Sequence, residues 1–470
     1  MERWHRTLKK RESLVTSADI VILGGGSGGY ACALRASQLG LSVILIEADK
    51  LGGTCLHRGC IPTKALLHAA EVADSTRESA SFGVQATLQG IDMPKVNSYR
   101  DGVVGRLYKG LQGLVKSRNV TYVHGWGTLT SATTVEVDGT TYTGKNIVLA
   151  TGSYARTLPG LDIGGRIMTS DQALDLDYVP KKVIVLGGGV IGVEFASVWR
   201  SFGTEVHIVE GLPHLVPAED EAISKAFERA YRKRGISFST GVRFASATQD
   251  DQGVTVTLED GSTHTADLLL VAVGRGPSTS NLGFDQVGVA MERGWVSVNE
   301  RLHTNVPGVF AVGDITPGLQ LAHRGFQHGI FVAEEIGGLD PRVIDDINIP
   351  RVTYSEPEVG SVGMTEAQAR EHYGQDKIHM YEYNLGGNGK SQILGTTGFI
   401  KTVAVVDGPV VGIHMIGARI GEQIGEAQLI VNWEAYPEDL APLVHAHPTQ
   451  NEAMGEAHLA LAGKPLHAHA

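Results

Sequence analysis

Two of the three cysteines in this 470-residue chain stand in one short stretch, Gly52-Gly53-Thr54-Cys55-Leu56-His57-Arg58-Gly59-Cys60-Ile61-Pro62-Thr63-Lys64. A dithiol can pass an electron pair to a disulfide, because a thiolate attacks one sulfur, displaces the other as a thiolate and forms a mixed disulfide that the second thiol resolves. In a regular helix, positions five apart are separated by about 7.5 Å along the axis. A disulfide needs its Cα atoms within about 7 Å. A bond between Cys55 and Cys60 therefore requires the backbone between them to depart from helix. Gly59 permits that departure, and Pro62 cannot donate the hydrogen bond that would close the turn back to Arg58. A pair held in this way is easier to reduce than a structural staple. The spacing alone also fits two unrelated buried cysteines. Thiol exchange needs a base as well, since the thiolate is the nucleophile. Near the C-terminus, His445-Ala446-His447-Pro448-Thr449-Gln450-Asn451-Glu452 offers imidazoles beside a carboxylate. Thr449-x-x-Glu452 reads equally as a capping box at the start of the last helix.

These residues need rigid elements to hold them. Asp19 to Leu23 is an apolar, β-branched run that reads as a buried parallel strand. Gly24-Gly25-Gly26-Ser27-Gly28-Gly29 follows, then a helix-forming stretch from Tyr30 to Leu39 and a strand from Ser42 to Ile46 that ends at Glu47. Strand, GxGxxG, helix, strand and an acid eighteen residues past the last glycine make the dinucleotide-binding fingerprint. Gly24, Gly26 and Gly29 let the backbone approach a pyrophosphate at the helix N-terminus, where free amides favour anions. Glu47 is placed to accept from a ribose hydroxyl. Cys32, among alanines on this helix, reads as packing. The pattern returns in full: Lys182 to Leu186, then Gly187, Gly189 and Gly192, a helix through Trp199, and a strand Val206 to Val209 ending at Glu210. A duplicated fold with one dinucleotide site per copy is the natural reading.

Between the copies, residues 120–145 read as a β-meander that ends in a buried strand Ile147 to Leu149 and the turn Ala150-Thr151-Gly152. The second copy has a counterpart in Val254 to Leu258 and in Leu268 to Val273, which leads into Gly274-Arg275. Val309 to Val312 then delivers Gly313-Asp314 at a strand end, followed by Leu321-Ala322-His323. From about Arg351 the texture changes to a hairpin, Phe399 to Val406 and Val410 to Ile416 about the turn Asp407-Gly408. Helical patterns follow at Glu422 to Trp433 and Asn451 to Leu461.

A hydrophobic content of 42% and 60 glycines suit a globular α/β chain of several domains with many tight turns. A formal charge of −11 argues against nucleic acid or an anionic membrane as main partner. Three cysteines are too few for a secreted disulfide scaffold and point to a cytosolic, cytoplasmic enzyme. No run approaches the roughly 20 apolar residues that span a bilayer. The first seventeen residues are basic without an apolar core, so they read as a disordered extension rather than a signal peptide.

From about residue 18 to the C-terminus the chain resembles the pyridine nucleotide–disulfide oxidoreductases, most specifically through the redox loop GGTCLxxGCIPTK, TNVPGVFAVGD and HAHPTxxE. The resemblance implies an α/β fold with two Rossmann-like dinucleotide-binding domains, for FAD and NAD, plus an α+β C-terminal dimerisation domain. The implied boundaries are 1–17 for the extension, 18–152 and 277–350 for the two parts of the FAD-binding domain, 153–276 for the NAD-binding domain and 351–470 for the interface domain. It implies a redox-active Cys55–Cys60 disulfide, in which Cys60 faces the flavin and Cys55 exchanges with substrate. Lys64 would stabilise negative charge at the flavin and pair with Glu194. His447 would be the base, oriented by Glu452. Asp314 would bond the ribityl chain of FAD. Gly127, Thr151, Gly152, Leu321, Ala322 and His323 would join the FAD site, and Val242, Gly274 and Arg275 the NAD site. No metal is implied.

Glu210 selects NAD, since a carboxylate there binds a ribose 2′-hydroxyl and repels a 2′-phosphate. No arginine follows within Gly211-Leu212-Pro213-His214-Leu215. This argues against the glutathione, mycothiol and trypanothione reductases. No cysteine follows Cys60, which argues against mercuric reductase and the large thioredoxin reductases. The remaining implied activity is oxidation of protein-bound dihydrolipoamide with NAD⁺. Its partners would be the lipoyl domains of 2-oxo acid dehydrogenase E2 subunits, or the glycine cleavage H protein. The enzyme would be a homodimer with shared active sites. A rival of another class, an assembly subunit that binds lipoyl domains with vestigial chemistry, sits poorly with the intact cysteine–histidine set.

Overall fold

The computed structural model describes residues 16–467, so most of the extension expected at 1–17 lies outside the described residues; the first strand begins at Ser17. The chain divides into two compact units. One contains the described residues up to Gly53, with Tyr108–Ser153 and Pro277–Val343; the other contains Thr54–Leu107, Tyr154–Gly276 and the described residues from Ile344 on.

In the first unit, strands Thr121–His124, Val43–Glu47, Ser17–Leu23, Thr140–Leu149 and Val309–Ala311 run parallel. Ile20, Ile22, Ile44, Leu45 and Val148 are fully buried. Such near-continuous apolar runs are what a sheet covered on both faces demands. Thr140–Leu149 is one long strand. Its first part pairs antiparallel with Thr134–Val137, and its second part places Val148 beside Ile22 in the parallel sheet. The meander expected over residues 120–145 is therefore corrected. Thr121–His124 is a parallel edge strand beside Val43–Glu47, and the antiparallel run is residues 127–143. Alternating burial marks a half-exposed strand but carries no information about the direction of its neighbour.

The helix Ser27–Gln38 begins inside the glycine motif, three residues before the expected start. It packs on the helix Ala322–Ile336 at a crossing lined by glycine. A Cβ on Gly329 would stand 2.2 Å from the Gly28 carbonyl oxygen and 2.8 Å from the Cys32 amide nitrogen. Cys32 is fully buried there, and burial pushes its thiol up to about 12. Arg35 clasps Glu334 across the same crossing at 2.7 Å.

In the second unit, the order Ser237–Thr240, Glu205–Glu210, Lys182–Leu186, Leu268–Val271, Ile167–Thr169 repeats the parallel design. The helix Val190–Phe202 packs on this sheet, and Leu66 and Ala70 of the helix Cys60–Glu78 join the same core as Phe195, Val198 and Trp199. The C-terminal sheet is antiparallel, in the order Arg351–Thr353, Glu358–Gly363, Val410–Gly417, Phe399–Val405, Ile378–Asn384. Its hairpin turns at Asp407, whose φ of 55° is a left-handed value that Asp tolerates. Helices Ile420–Asn432 and Glu452–Leu461 bury Ala427, Ala453, Met454 and Ala457 against it. Among the described residues, no helix is long and apolar enough to cross a membrane.

Two glycine substitutions should act with opposite sign. Gly329→Ala drives a methyl into backbone that cannot yield and should cost about 1–3 kcal/mol. Gly113→Ala, in the helix Met93–Ser117 with nothing within 4 Å of the added methyl, should add about 0.5–1 kcal/mol. Urea denaturation of the two variants against the parent measures both.

Candidate active site

The cysteine loop is two helices broken at one residue. Gly53–Arg58 carries Cys55, and Cys60–Glu78 starts with Cys60. Gly59 lies between them at φ −142°, ψ −109°, outside helix. A Cβ there would meet the Thr54 carbonyl oxygen at 3.1 Å and the Cys55 Cα at 3.5 Å, so the chain folds back tightly against the residue it must bring near. Pro62 is the third residue of the new helix, within the first turn where no amide donor is needed.

Both cysteines are thiols in this structure and half-buried. The Cys55 thiol donates to Cys60, and that hydrogen bond holds the Cys60 thiol below its usual range; burial opposes it and the nearby Lys64 charge assists. The same bond, with burial, pushes Cys55 upward. The two thiols are shifted in opposite directions, Cys60 downward and Cys55 upward.

Lys64 donates to both carboxylate oxygens of Glu194, at 2.9 and 2.8 Å. Glu194 is buried and accepts a third hydrogen bond from the Tyr354 amide at 2.9 Å. Burial alone would lower the Lys64 pKa, but the charge of Glu194 and its hydrogen bonds overcome that, and the net shift is upward. Lys64 also stands 4.8 Å from the centre of the Tyr354 ring. Tyr354 escaped sequence reasoning, because no spacing links it to the cysteine loop.

His447 is exposed, and its Nδ1 lies 2.8 Å from Glu452. The other Glu452 oxygen accepts from the Thr449 amide at 2.7 Å. Burial raises the Glu452 pKa, but that amide and His447 outweigh it and hold the carboxyl below its ordinary range. The capping box is corrected here. Glu452 reaches back as a box requires, but the Thr449 hydroxyl donates to the Ala446 carbonyl at 2.7 Å, and the helix starts at Glu452. The hydroxyl is used to close the turn that carries His447. His445 forms a second pair with Glu426 at 2.7 Å.

The two glycine motifs are near copies. A Cβ on Gly24 would lie 2.2 Å from the Ala150 carbonyl oxygen, and one on Gly187 2.3 Å from that of Ala272. Gly29 and Gly192 stand as tightly against Gly24 and Gly187, at 1.8 and 2.0 Å, whereas the middle glycines Gly26 and Gly189 face nearly open space. Glu47 accepts from the Gly25 amide at 2.6 Å and Glu210 from the Gly188 amide at 2.7 Å.

The family model of the pyridine nucleotide-disulphide oxidoreductases matches residues 18–329, and that of their dimerisation domain matches residues 349–458. The chain belongs to this family. A dihydrolipoyl dehydrogenase of Bacillus subtilis is 38% identical to this oxidoreductase over 97% of the chain and 100% of its own length. The mitochondrial dihydrolipoyl dehydrogenase 1 of Arabidopsis thaliana is 39% identical over 96% and 91%. Among solved structures, LpdA from Mycobacterium tuberculosis superposes with a TM-score of 0.88 at 27% identity, covering 95% of this chain and 100% of that one. The family inferred from the cysteine loop is the family matched.

The oxidoreductase's residues fit the dinucleotides that its family uses. In each motif, two glycines are required by backbone contact and the middle one is bare, beside a carboxylate at the strand end, the arrangement that a pyrophosphate and a ribose need. Asp314 follows Gly313, which has φ 70°, and accepts from Ser153 at 2.6 Å. Thr151 donates to the Ser278 carbonyl at 2.5 Å, and Gly152 accepts from the Ser278 amide. Leu321, Ala322 and His323 form the N-terminus of the helix Ala322–Ile336, which has no side-chain cap bond. Gly127 packs under Leu23, whose methyl would lie 2.5 Å from an added Cβ. Val242 packs against the core of the second nucleotide fold. Gly274 has φ 100°, with Arg275 half-buried after it.

In the reduced protein, the first thiol to ionise should be Cys60, and it should stay ionised below the ordinary thiol pKa of about 8.5. Cys55→Ser keeps a donor and should preserve the low value; Cys55→Ala and Lys64→Met should each raise it. Ultraviolet thiolate absorbance against pH measures this, and equal midpoints in all four proteins would contradict the opposed shifts.

Proposed function

We propose that this chain oxidises protein-bound dihydrolipoamide with NAD⁺ through FAD and the Cys55–Cys60 couple, as the dihydrolipoyl dehydrogenase component of 2-oxo acid dehydrogenase complexes. What supports the reading most is the cysteine pair folded together at the helix break of Gly59, with the Lys64–Glu194 ion pair one turn beyond Cys60, in a chain 38–39% identical to dihydrolipoyl dehydrogenases over nearly its whole length.

Residues 18–152 with 277–350 are assigned to FAD, 153–276 to NAD and 351–470 to the interface of a homodimer. FAD, when bound, supplies the carrier that passes an electron pair between the cysteines and NAD⁺. The residues of the chain do the rest. A substrate thiolate attacks the Cys55 sulfur of the disulfide, the Cys55–Cys60 bond breaks, and Cys60 leaves as a thiolate. His447, oriented through Nδ1 by Glu452, takes the proton of the second substrate thiol. That thiolate attacks the substrate sulfur joined to Cys55. The mixed disulfide breaks, the Cys55 sulfur leaves and takes the proton from His447, lipoamide departs oxidised, and the Cys55 thiol with the Cys60 thiolate holds the two electrons. Lys64 offsets the negative charge that remains near Cys60.

On the NAD side, the Glu210 carboxylate accepts from the ribose 2′-hydroxyl and disfavours a 2′-phosphate. Gly187, Gly189 and Gly192 admit the pyrophosphate. Gly24, Gly26, Gly29, Glu47, Gly127, Thr151, Gly152, Asp314, Leu321, Ala322 and His323 serve FAD in the same manner. Val242, Gly274 and Arg275 complete the NAD site. The partners are lipoyl domains, or the glycine cleavage H protein.

Anaerobic mixing with dihydrolipoamide and NAD⁺ should yield NADH, and Cys55→Ser or Cys60→Ser should each stop it. A protein that holds FAD and reduces no NAD⁺ would overturn the activity.

In the shared-site reading, His447 serves the cysteines of the partner subunit, which needs a closed two-fold interface. Inactive His447→Gln and Cys55→Ser proteins, mixed and allowed to exchange subunits, should recover activity, since each heterodimer contains one site with both native residues. If mass spectrometry shows heterodimers and activity stays absent, His447 acts within its own chain.

A further inference from the structure

The fold brings an arginine to the adenosine end of the NAD site that the sequence after Glu210 lacks. Strand Glu205–Glu210 runs parallel to Ser237–Thr240, with Glu210 beside Thr240. Just past these strand ends, the Gly241 amide donates to the Leu212 carbonyl at 2.8 Å and ties the two turns together. Arg243 follows, and its Cγ lies 3.6 Å from where a Cβ on Gly211 would stand. Gly211 has no side chain, so the aliphatic stem of Arg243 runs over the residue directly after the acid that reads the ribose. The Arg243 carbonyl is fixed by the Glu259 amide at 2.9 Å. Its guanidinium is exposed and has no hydrogen bond or ion pair among the described residues. The Glu210 carboxylate, by contrast, is held by two amides, Gly188 at 2.7 Å and Leu212 at 2.7 Å.

We propose that Arg243 is a second specificity-determining residue of the nicotinamide dinucleotide site, a cation poised at the 2′ position of the adenosine ribose whose attraction for a 2′-phosphate is masked by Glu210. The proposal rests on the assignment of this motif to NAD. A guanidinium with a free planar fork suits a phosphate oxygen pair, and an ammonium or neutral residue on the same stem does not match it. A fixed carboxylate at the ribose adds like-charge repulsion and keeps the unphosphorylated coenzyme preferred. A single neutralising change should then suffice to admit the 2′-phosphate, with no new arginine supplied.

The test uses the FAD-loaded dimer and two fragments, 5′-AMP and 2′,5′-ADP, measured by calorimetry for the parent, Glu210→Gln, Arg243→Met and the double variant. Glu210→Gln should bind 2′,5′-ADP roughly tenfold to a hundredfold more tightly than the parent, the range of one charge-assisted pair. The double variant should lose that gain. 5′-AMP affinity should change little with Arg243→Met. The kcat/KM ratio of NADP⁺ to NAD⁺ should follow the same order. Equal 2′,5′-ADP affinity in Glu210→Gln and the double variant would overturn the proposal. Failure of 5′-AMP to bind the parent would instead sink the NAD assignment beneath it. Should Glu210→Gln not fold, the parent is compared with Arg243→Met: competition by 2′,5′-ADP must weaken with the substitution, and an unchanged value counts against Arg243.

Discussion

A thiolate kept at a half-buried position needs a positive charge beside it, and that charge must itself be held. The Lys64–Glu194 pair meets both needs. Lys64 comes one turn into the helix that Cys60 begins, so its distance from the thiol is set by helix geometry. Glu194 comes from the helix that follows the second glycine motif. The pair therefore joins the redox helix to a nucleotide-binding helix with two hydrogen bonds, and the Tyr354 amide from the C-terminal region adds a third. A buried carboxylate with its lone pairs so occupied has compensation for its desolvation; the same carboxylate with Lys64 removed would not. Neighbouring bonds extend this polar seam, with Arg234 bonded to Asp74 at 2.8 Å and to Ser197 at 2.9 Å.

The duplicated nucleotide fold shows how little freedom its fingerprint has. In both copies, the first glycine is pressed against a carbonyl of the central strand's neighbour and the last against the first. Any side chain at either would push the helix off the sheet. The middle glycine is different, because a Cβ there would meet almost nothing in the chain. Both terminal carboxylates accept from the amide of the residue after the first glycine. Each carboxylate is thus anchored to the loop that it helps to form.

The C-terminal segment shows one sequence pattern serving two ends. Thr449 and Glu452 have the types and spacing of a reciprocal cap, but the hydroxyl bonds backward to Ala446. Closing the turn before the helix aims His447 outward, and Glu452 divides its two oxygens between that turn's amide and the imidazole. The neighbouring His445–Glu426 pair, with Asn451 also on Glu426 at 2.5 Å, fixes the base of the same turn.

Local patterns in the sequence determined whatever depends on a few adjacent residues. The two βαβ starts, the glycine spacing, the helix break at Gly59 and the Asp407-Gly408 hairpin were legible because backbone sterics and side-chain period act over a handful of positions. The cysteine loop was legible through its resemblance to the family's redox loop, since its spacing alone also fits two unrelated cysteines. Tertiary structure alone decided what depends on strands and loops that meet from far apart. The partner of Thr121–His124, the two-faced role of Thr140–Leu149, the Tyr354 amide on Glu194 and the approach of Arg243 to Gly211 all arise from packing between distant segments. No period or spacing encodes such meetings, because they are fixed by the joint burial of whole elements, and the residues concerned carry no local sign of where they will be brought.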